Sequence, residues 1–193
     1  MIIHRLTGGA FVALFVAMAA LAGAGVRAAE VKPQYYIRGN QTGVWYKSSV
    51  KLPKGWVENT AWSQRYERVV LFENGDNSSA KPFMYVRVHP GPEIALETYI
   101  RTAQQRWLAR LKDTTIEQLP DVANAGASPI KLYLYRNPSA PSQAFELTAF
   151  MKDAAGRHGG KPMFFQIVLA APTQSELDRA RPALMELLRN LQQ

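Results

Sequence analysis

The sequence contains no cysteine and only three histidines among its 193 residues. Without cysteine, disulfide bonds cannot staple the fold and thiolate metal sites are excluded. There is also no glycine-rich repeat of the collagen type, and 47% of the residues are hydrophobic, which excludes a disordered chain. The composition therefore predicts an ordinary globular domain whose stability comes from an apolar core.

The first 28 residues have the three parts of a secretory signal peptide. Arg5 supplies the positive charge, the run Phe11–Ala22 is wholly apolar, and Val26-Arg27-Ala28 places small residues at a cleavage site. An uncleaved membrane anchor is the alternative, but this apolar run is shorter than the roughly 20 residues that a spanning helix needs. No cysteine follows the run, which excludes a lipoprotein. We therefore predict a periplasmic protein, with secretion beyond the periplasm left open.

The chain that follows the signal divides into two parts. Residues 29–42 form an N-terminal segment whose order the sequence leaves open, and residues 43–193 form a single domain. No segment after the signal is long and apolar enough to span a membrane. Basic residues exceed acidic ones, with a net charge of +8 over the whole sequence. An anionic partner would complement this excess.

The apolar pattern of the domain predicts strands first, then a helix, more strands and a closing helix. Alternation with a period of two, bounded by turn residues, marks six strands. They are expected near residues 44–52, 66–73, 82–89, 130–136, 143–152 and 161–170, the last two as a hairpin. Periods of three and four residues predict a helix over 93–113 and another from Thr173 or Ser175, with a kink or restart at Pro182. This order predicts an α+β fold, an antiparallel sheet of about six strands with a central and a C-terminal helix packed on it.

The order of these elements resembles the PsbP/Mog1-like superfamily of α/β/α sandwiches, including its small secreted bacterial members. The residues that carry the resemblance are Pro53-Lys54-Gly55-Trp56, Ile94-Ala95-Leu96-Glu97-Thr98-Tyr99 and the run 162–168. It covers roughly residues 43–191 at the level of the fold. The resemblance implies a non-enzymatic adaptor or assembly role and supplies no catalytic residues.

We find no catalytic signature in the sequence. His89 and His158 lack further ligands at metal-binding spacing, and no Gly-x-Ser-x-Gly motif is present. Glu93 and Glu97 share a helix face as a pair of catalytic carboxylates could, but they also occupy the first turns of a helix, where acidic residues are favoured. We predict no metal and no cofactor, and an enzyme is less favoured than a binding protein.

One segment, residues 35–68, interleaves aromatic and basic residues. Surfaces that bind anionic or ring-bearing partners are often built in this way. The predicted binding residues are Trp45, Lys47, Lys51, Lys54, Trp62 and Arg65.

Two interpretations of Trp45 remain open at this point. In a strand, Trp45, Lys47 and Lys51 share one face, and two lysines indicate a face exposed to water, which would make Trp45 part of a contact surface. Alternatively, the segment around Tyr35 and Tyr36 covers Trp45 while the lysine stems extend past it to solvent.

Two functions from different classes follow. The first is a periplasmic interaction or assembly module that binds an acidic protein or an anionic envelope component such as a lipid headgroup or a glycan. It predicts that charge reversal at Lys47 and Lys51 weakens binding. The alternative is an envelope hydrolase that acts on cell-wall glycan with carboxylates assembled only in the fold. Nucleic acid is excluded as a partner by the predicted compartment. The oligomeric state stays open.

Overall fold

The computed structural model describes residues 30–38, 41–78, 80–123, 129–158 and 161–191. The predicted signal peptide, residues 1–28, lies outside these ranges. Within the described ranges, none of the helices has both the length and the hydropathy that crossing a membrane requires.

Nine strands, three α-helices and one short 3-10 helix occur in the described part of the chain. The strands are β1 (Val31–Arg38), β2 (Gln41–Ser48), β3 (Trp56–Glu58), β4 (Val69–Glu73), β5 (Phe83–Pro90), β6 (Thr115–Val122), β7 (Ile130–Arg136), β8 (Phe145–His158) and β9 (Lys161–Ala171). The α-helices are α1 (Thr60–Tyr66), α2 (Leu96–Arg110) and α3 (Gln174–Asn190), and the 3-10 helix is Pro141–Gln143.

The strands form one antiparallel sheet in the order β1-β2-β5-β9-β8-β7-β6. Strands β2 and β4 both pair with the edge of β5 that faces away from β9. Strand β3 pairs in turn with β4. The longest pairing joins β8 and β9, which confirms the late hairpin predicted from the sequence. Strands β5 and β9 are therefore central in the sheet.

The helices lie on both faces of the sheet. Side chains alternate along β9, so that Phe165 points towards Leu184 of α3 in the largest apolar cluster. Its neighbour Phe164 points to the opposite face, where it packs with Ile100 of α2. Helix α1 packs on that same face, with Trp62 against a separate cluster on β4, β5 and β9. The arrangement is the predicted α+β fold, an α/β/α sandwich.

Two capping residues fix where helices begin. Thr173, one of the two predicted caps, accepts a hydrogen bond from the backbone N–H of Glu176 at 3.2 Å. Asn59 does the same for α1, accepting from the N–H of Trp62 at 3.0 Å. Each cap satisfies a donor that would otherwise lack a partner at the first turn. Because of the second cap, a short helix occupies residues for which no helix was predicted.

The strand boundaries in the first half of the domain differ from the predictions. The strand expected over 44–52 ends at Ser48, where the pairing of β2 with β1 also ends. The strand expected over 66–73 begins only at Val69, since α1 extends to Tyr66.

Three strands were not predicted. They are β1, β3 and β6, so the described sheet has nine strands where about six were expected. Strand β6 lies at the edge of the sheet, and its residues are exposed or half-buried. It therefore lacks the apolar alternation by which strands are recognised. Strand β1 pairs along its whole length with β2, within the segment 29–42 whose order the sequence left open.

Helix α3 does not restart at Pro182, which was one of the two outcomes predicted there. It is helical from Gln174 to Asn190 with Pro182 inside. Proline removes one donor and leaves the carbonyl oxygen four residues earlier, at Asp178, without its usual partner. Both Pro182 and Asp178 are exposed. That oxygen can therefore bond to water, and the buried leucines of the opposite face hold the helix together.

Candidate functional site

Two cavities flank the face of the sheet that carries α1 and α2. The first, which we call the hairpin groove, has a volume of about 820 Å³ and lies between the β1–β2 hairpin and α1. Its lining includes Tyr35, Trp45, Lys47, Glu58, Arg65 and Tyr66. The second has a volume of about 670 Å³ and lies between α2 and the sheet.

The structure brings only some of the predicted binding residues together. Trp45 is only 7% exposed and belongs to the main core cluster, so the interpretation in which it is covered holds. Lys47 lies beside it in the hairpin groove, where its Nζ contacts both carboxylate oxygens of Glu58 at 2.9 and 2.7 Å. An exposed face carrying a free tryptophan and two lysines is therefore not present.

The other four predicted residues are dispersed. Lys51 and Lys54 follow the end of β2 and are exposed, and neither lines the groove. Trp62 is half-buried, with its ring 5.3 Å from that of Phe72 in an edge-to-face contact. Arg65 is exposed on α1 and lines the groove.

The second cavity is lined by four arginines and by aromatic side chains. Arg68 precedes β4, Arg87 projects from β5, and Arg106 and Arg110 project from α2. We call this cavity the arginine cleft and define it by these four arginines. Tyr85, His89, Tyr99 and Trp107 contribute to its walls. No aspartate or glutamate is among its lining residues.

None of the four arginines pairs with a carboxylate in the part of the chain that the structure describes. Some cations outside the cleft do form ion pairs, among them Lys47, Lys131, Arg136, Lys152 and Arg179. The charge of the arginine cleft is therefore not neutralised by described residues. In the sequence, the arginines late in α2 indicated only a complement to the helix dipole.

The guanidinium of Arg68 is held in place at the cleft wall. Its Nε donates to the carbonyl oxygen of Tyr66 at 3.0 Å, and its Cζ lies 4.8 Å from the ring centre of Tyr85. Burial lowers the pKa of Arg68, and the charges of Arg87 and Arg110 lower it further. The cations of the cleft thus repel one another, which an incoming anion would relieve.

Another part of the cleft wall is aromatic. The rings of Tyr99 and Phe164 are stacked with centres 4.5 Å apart, and His89 lies 5.3 Å from Tyr99. Burial lowers the pKa of His89 to about 4, with further lowering by Arg87 and Arg106. His89 is therefore neutral at pH 7. Its Nδ1 is buried and has no hydrogen-bond partner among the described residues.

A buried carboxyl group, that of Glu146 on β8, lies on the same face of the sheet as Tyr85 of the cleft. The side chain is 2% exposed, and its Oε1 has no hydrogen-bond partner among the described residues. Burial raises the pKa of Glu146 to about 8, and the charge of Arg68 opposes this rise. Glu146 is therefore largely protonated at pH 7. A carboxyl group whose pKa is strongly shifted by burial next to a cleft is a candidate functional group.

Trp107, at the end of α2, is fixed by a buried asparagine. The Oδ1 of Asn137 accepts from Trp107 Nε1 at 3.1 Å and from the hydroxyl of Thr114 at 2.8 Å, while its Nδ2 donates to the carbonyl of Gln143 at 2.8 Å. Asn137 is fully buried. It ties the C-terminal end of α2 to the loop between β7 and β8.

We expect Asn137→Ala to lower the free energy of unfolding by about 2 kcal/mol, since it leaves buried donors and an acceptor unsatisfied. Chemical denaturation would measure this loss. Gln143→Ala is the control, because Asn137 bonds only to its backbone carbonyl, and this variant should change stability by less than about 0.5 kcal/mol. Equal losses in the two variants would contradict the assigned role of Asn137.

No metal site accompanies the cleft in the described ranges, which hold no group of three or more histidine, cysteine, aspartate or glutamate side chains placed to bind an ion. The cleft offers guanidinium groups as hydrogen-bond donors and the faces of aromatic rings, and the carboxyl group of Glu146 carries one buried proton. The guanidinium groups can donate hydrogen bonds to an anion, and the aromatic rings can contact its apolar parts.

The arginines of the cleft were missed in the sequence because they come from separate elements. Two local signals were present. Arg106 and Arg110 are four residues apart and so share a helix face, and Arg87 and His89 alternate with apolar residues along one strand. Neither signal shows that α2 and β5 face each other, because their relative position is set by tertiary packing and not by the local sequence.

Comparison with solved structures finds a similarity to a mutant of the protein Mog1. The sequence identity is 14%, the match covers 84% of this chain and 93% of that chain, and the TM-score is 0.42. No protein-family model matches the sequence, and no curated protein does.

Proposed function

We propose that this chain is a non-enzymatic periplasmic interaction or assembly module whose arginine cleft binds an acidic segment of a partner protein. The observation that carries the proposal is the convergence of four arginines on one cleft with no carboxylate among its lining residues. The signal-like N-terminus and the excess of basic residues support it.

Arginine suits this task because its planar guanidinium offers several donors in a geometry that matches a carboxylate. Arg68 is already oriented by the carbonyl of Tyr66 and the ring of Tyr85, so binding requires little further ordering of this side chain. An acidic segment would bond to the guanidinium groups and relieve their mutual repulsion. The contact would weaken as ionic strength rises.

The aromatic wall favours a protein segment over an isolated inorganic anion. Tyr99 and Trp107 line the same cleft as the arginines and offer ring surface to the apolar parts of a ligand. A cleft of about 670 Å³ is also of the size that accommodates side chains or a small molecule. Anionic lipid headgroups and acidic glycans share the negative charge, and they serve as comparison ligands in the test.

The alternative of an envelope hydrolase receives no support from either cavity. Glycoside hydrolysis ordinarily needs two carboxyl groups that face each other across the substrate. The arginine cleft has none among its lining residues, and the hairpin groove has one, Glu58, which is paired with Lys47. The geometry therefore favours binding.

A short polyglutamate peptide, fluorescently labelled, tests the proposal. We expect Arg106→Glu to lower the affinity for this peptide at least about tenfold, because it removes one donor and places a repelling charge in the cleft. Arg101→Glu is the matched control, since Arg101 lies on the same helix, is exposed and does not line the cleft. Fluorescence anisotropy at low ionic strength measures both variants.

Equal losses in the two variants would show that net charge alone attracts the peptide and would contradict a specific cleft. The double variant Lys47→Glu/Lys51→Glu tests the prediction made from the sequence. A larger loss of peptide affinity in this variant than in Arg106→Glu would place the binding site at the hairpin groove. Tighter binding of anionic vesicles or of an acidic glycan than of the peptide would overturn the choice of a protein partner. A second readout is the pKa of His89, which a bound anion should raise.

A further inference from the structure

The register of the sheet places the buried carboxyl group of Glu146 on the same face as Tyr85 of the arginine cleft. On β8, Glu146 pairs across the sheet with Tyr135 of β7 and Ala170 of β9. Ala170 in turn pairs with Phe83 of β5, two residues from Tyr85, over whose ring Arg68 lies. Arg68 acts on the ionisation of Glu146, and both residues act on that of Tyr85.

Arg68 is thus placed between two negative charges that it could meet, one outside the protein and one inside. An anion in the cleft would reach its guanidinium from the solvent side. An ionised Glu146 would reach it from the core and would cancel part of the positive potential of the cleft. The uncharged, protonated Glu146 leaves Arg68 available to the ligand.

We infer that ligand binding in the arginine cleft is coupled to the protonation of Glu146, whose ionised form competes with the ligand for Arg68. This inference rests on the proposed function and adds its regulation. By linkage, the coupling is reciprocal, so binding of an anion also favours the protonated carboxyl group. The module would hold its acidic partner in neutral or mildly acidic surroundings and release it when the surroundings become alkaline.

The other described groups around Glu146 do not change charge in this window. Burial raises the pKa of Tyr85 and of Tyr135, so both hydroxyls stay protonated. From α2, the neutral Gln104 faces Tyr135, and Arg110 acts on Arg68. The pKa of Arg68 is lowered from that of an ordinary arginine, which stays charged in this window, and the pKa of His89 is about 4. A change between neutral and alkaline pH is therefore assigned to Glu146.

The test compares the wild-type protein with Glu146→Gln, which has the shape of the protonated glutamic acid at every pH. The probe is the same polyglutamate peptide, whose side chains are ionised throughout the range. We expect the wild-type affinity to fall about fivefold or more from about pH 6.5 to about pH 9, within the usual size of such couplings. The affinity of Glu146→Gln should change less than about twofold. Glu117→Gln, the same change at an exposed position on β6, should behave as wild type.

The outcomes separate the two proposals. Absence of peptide binding at pH 6.5 would overturn the proposed function and the coupling with it. Binding at pH 6.5 with an equal pH dependence in wild type and Glu146→Gln would overturn the coupling alone. A measurement on the wild-type protein removes any dependence on the variant's folding. In NMR titrations that follow the Glu146 carboxyl carbon, the pKa of Glu146 should rise when the peptide is bound, and an unchanged pKa would overturn the coupling.

Discussion

Glu146→Gln is expected to raise the free energy of unfolding by about 3 to 4 kcal/mol at pH 8 and to leave it nearly unchanged at pH 4. The reason is the burial of the carboxyl group, which raises its pKa from 4.5 to about 8. A tenfold difference in acid dissociation constant between the folded and unfolded chains corresponds to about 1.4 kcal/mol of stability. Glutamine does not ionise, so the free energy of unfolding of the variant does not fall in this way as the pH rises.

The direction of this pH dependence follows from the numbers of protons that the folded and unfolded states bind. Between pH 4.5 and pH 8 the folded protein holds a proton on Glu146 that the unfolded chain has released. The folded state binds more protons in this range, and its stability therefore falls as the pH rises. The stability of the wild-type protein relative to Glu146→Gln is thus fully present below pH 4.5 and is lost as the pH approaches 8.

Urea denaturation of both proteins at several pH values measures this difference. Subtracting the two curves removes the contributions of other ionisable groups, because these are common to both proteins. Glu117→Gln is again the control and should follow the wild type, since its exposed carboxylate gains no burial. A constant difference between wild type and Glu146→Gln across the pH range would show that the pKa of Glu146 is the same in the folded and unfolded chains, and it would contradict the prediction.

Because Glu146 is expected to lower the free energy of unfolding at neutral pH, its presence requires an explanation other than stability. Proteins commonly tolerate strain and unpaired polar groups where a site requires them. Glu146 lies on the same face of the sheet as the arginine cleft, and the charge of Arg68 favours its ionised form. The coupling proposed above therefore predicts that stability and ligand binding depend on the same proton.

The sequence predicted the layers of the fold well and the candidate site poorly. The apolar stripe of α3 and the alternation along β9 are each set by a large buried surface, so the local pattern reports the tertiary position. For α2 the predicted helix, 93–113, contains the observed one, Leu96–Arg110. These elements were predictable because burial dictates their residues at regular intervals.

The site was not predictable because it depends on where polar residues meet. Trp45 shares its strand face with Lys47, and the lysine indicated an exposed face. In the fold, Glu58 neutralises Lys47, so the same face can be buried. Glu146 shows the reverse case, since nothing in the local pattern Phe145-Glu146-Leu147 marks a buried carboxyl group. Its position is fixed by β7 and β9 on either side.

Phe164 and Phe165 allow the site and the fold to be tested by a matched pair of substitutions. Both side chains are fully buried on β9 and point to opposite faces of the sheet. Phe164 lies beneath α2, stacked against Tyr99 of the cleft wall, while Phe165 lies in the core beneath α3. We expect Phe164→Ala and Phe165→Ala each to lower the free energy of unfolding by about 3 to 5 kcal/mol.

Only one of the two substitutions should affect the cleft. Phe164→Ala removes the ring on which Tyr99 rests and leaves a cavity under α2, which carries Arg106 and Arg110. The polyglutamate affinity should therefore fall at least about tenfold in Phe164→Ala and less than about threefold in Phe165→Ala, measured where both proteins are folded. If the alanine variants do not fold, Phe164→Leu and Phe165→Leu provide the same comparison with smaller losses of stability. Equal affinities of the matched variants would mean that the position of α2 on the sheet does not determine binding, and the arginine cleft would then not be the site.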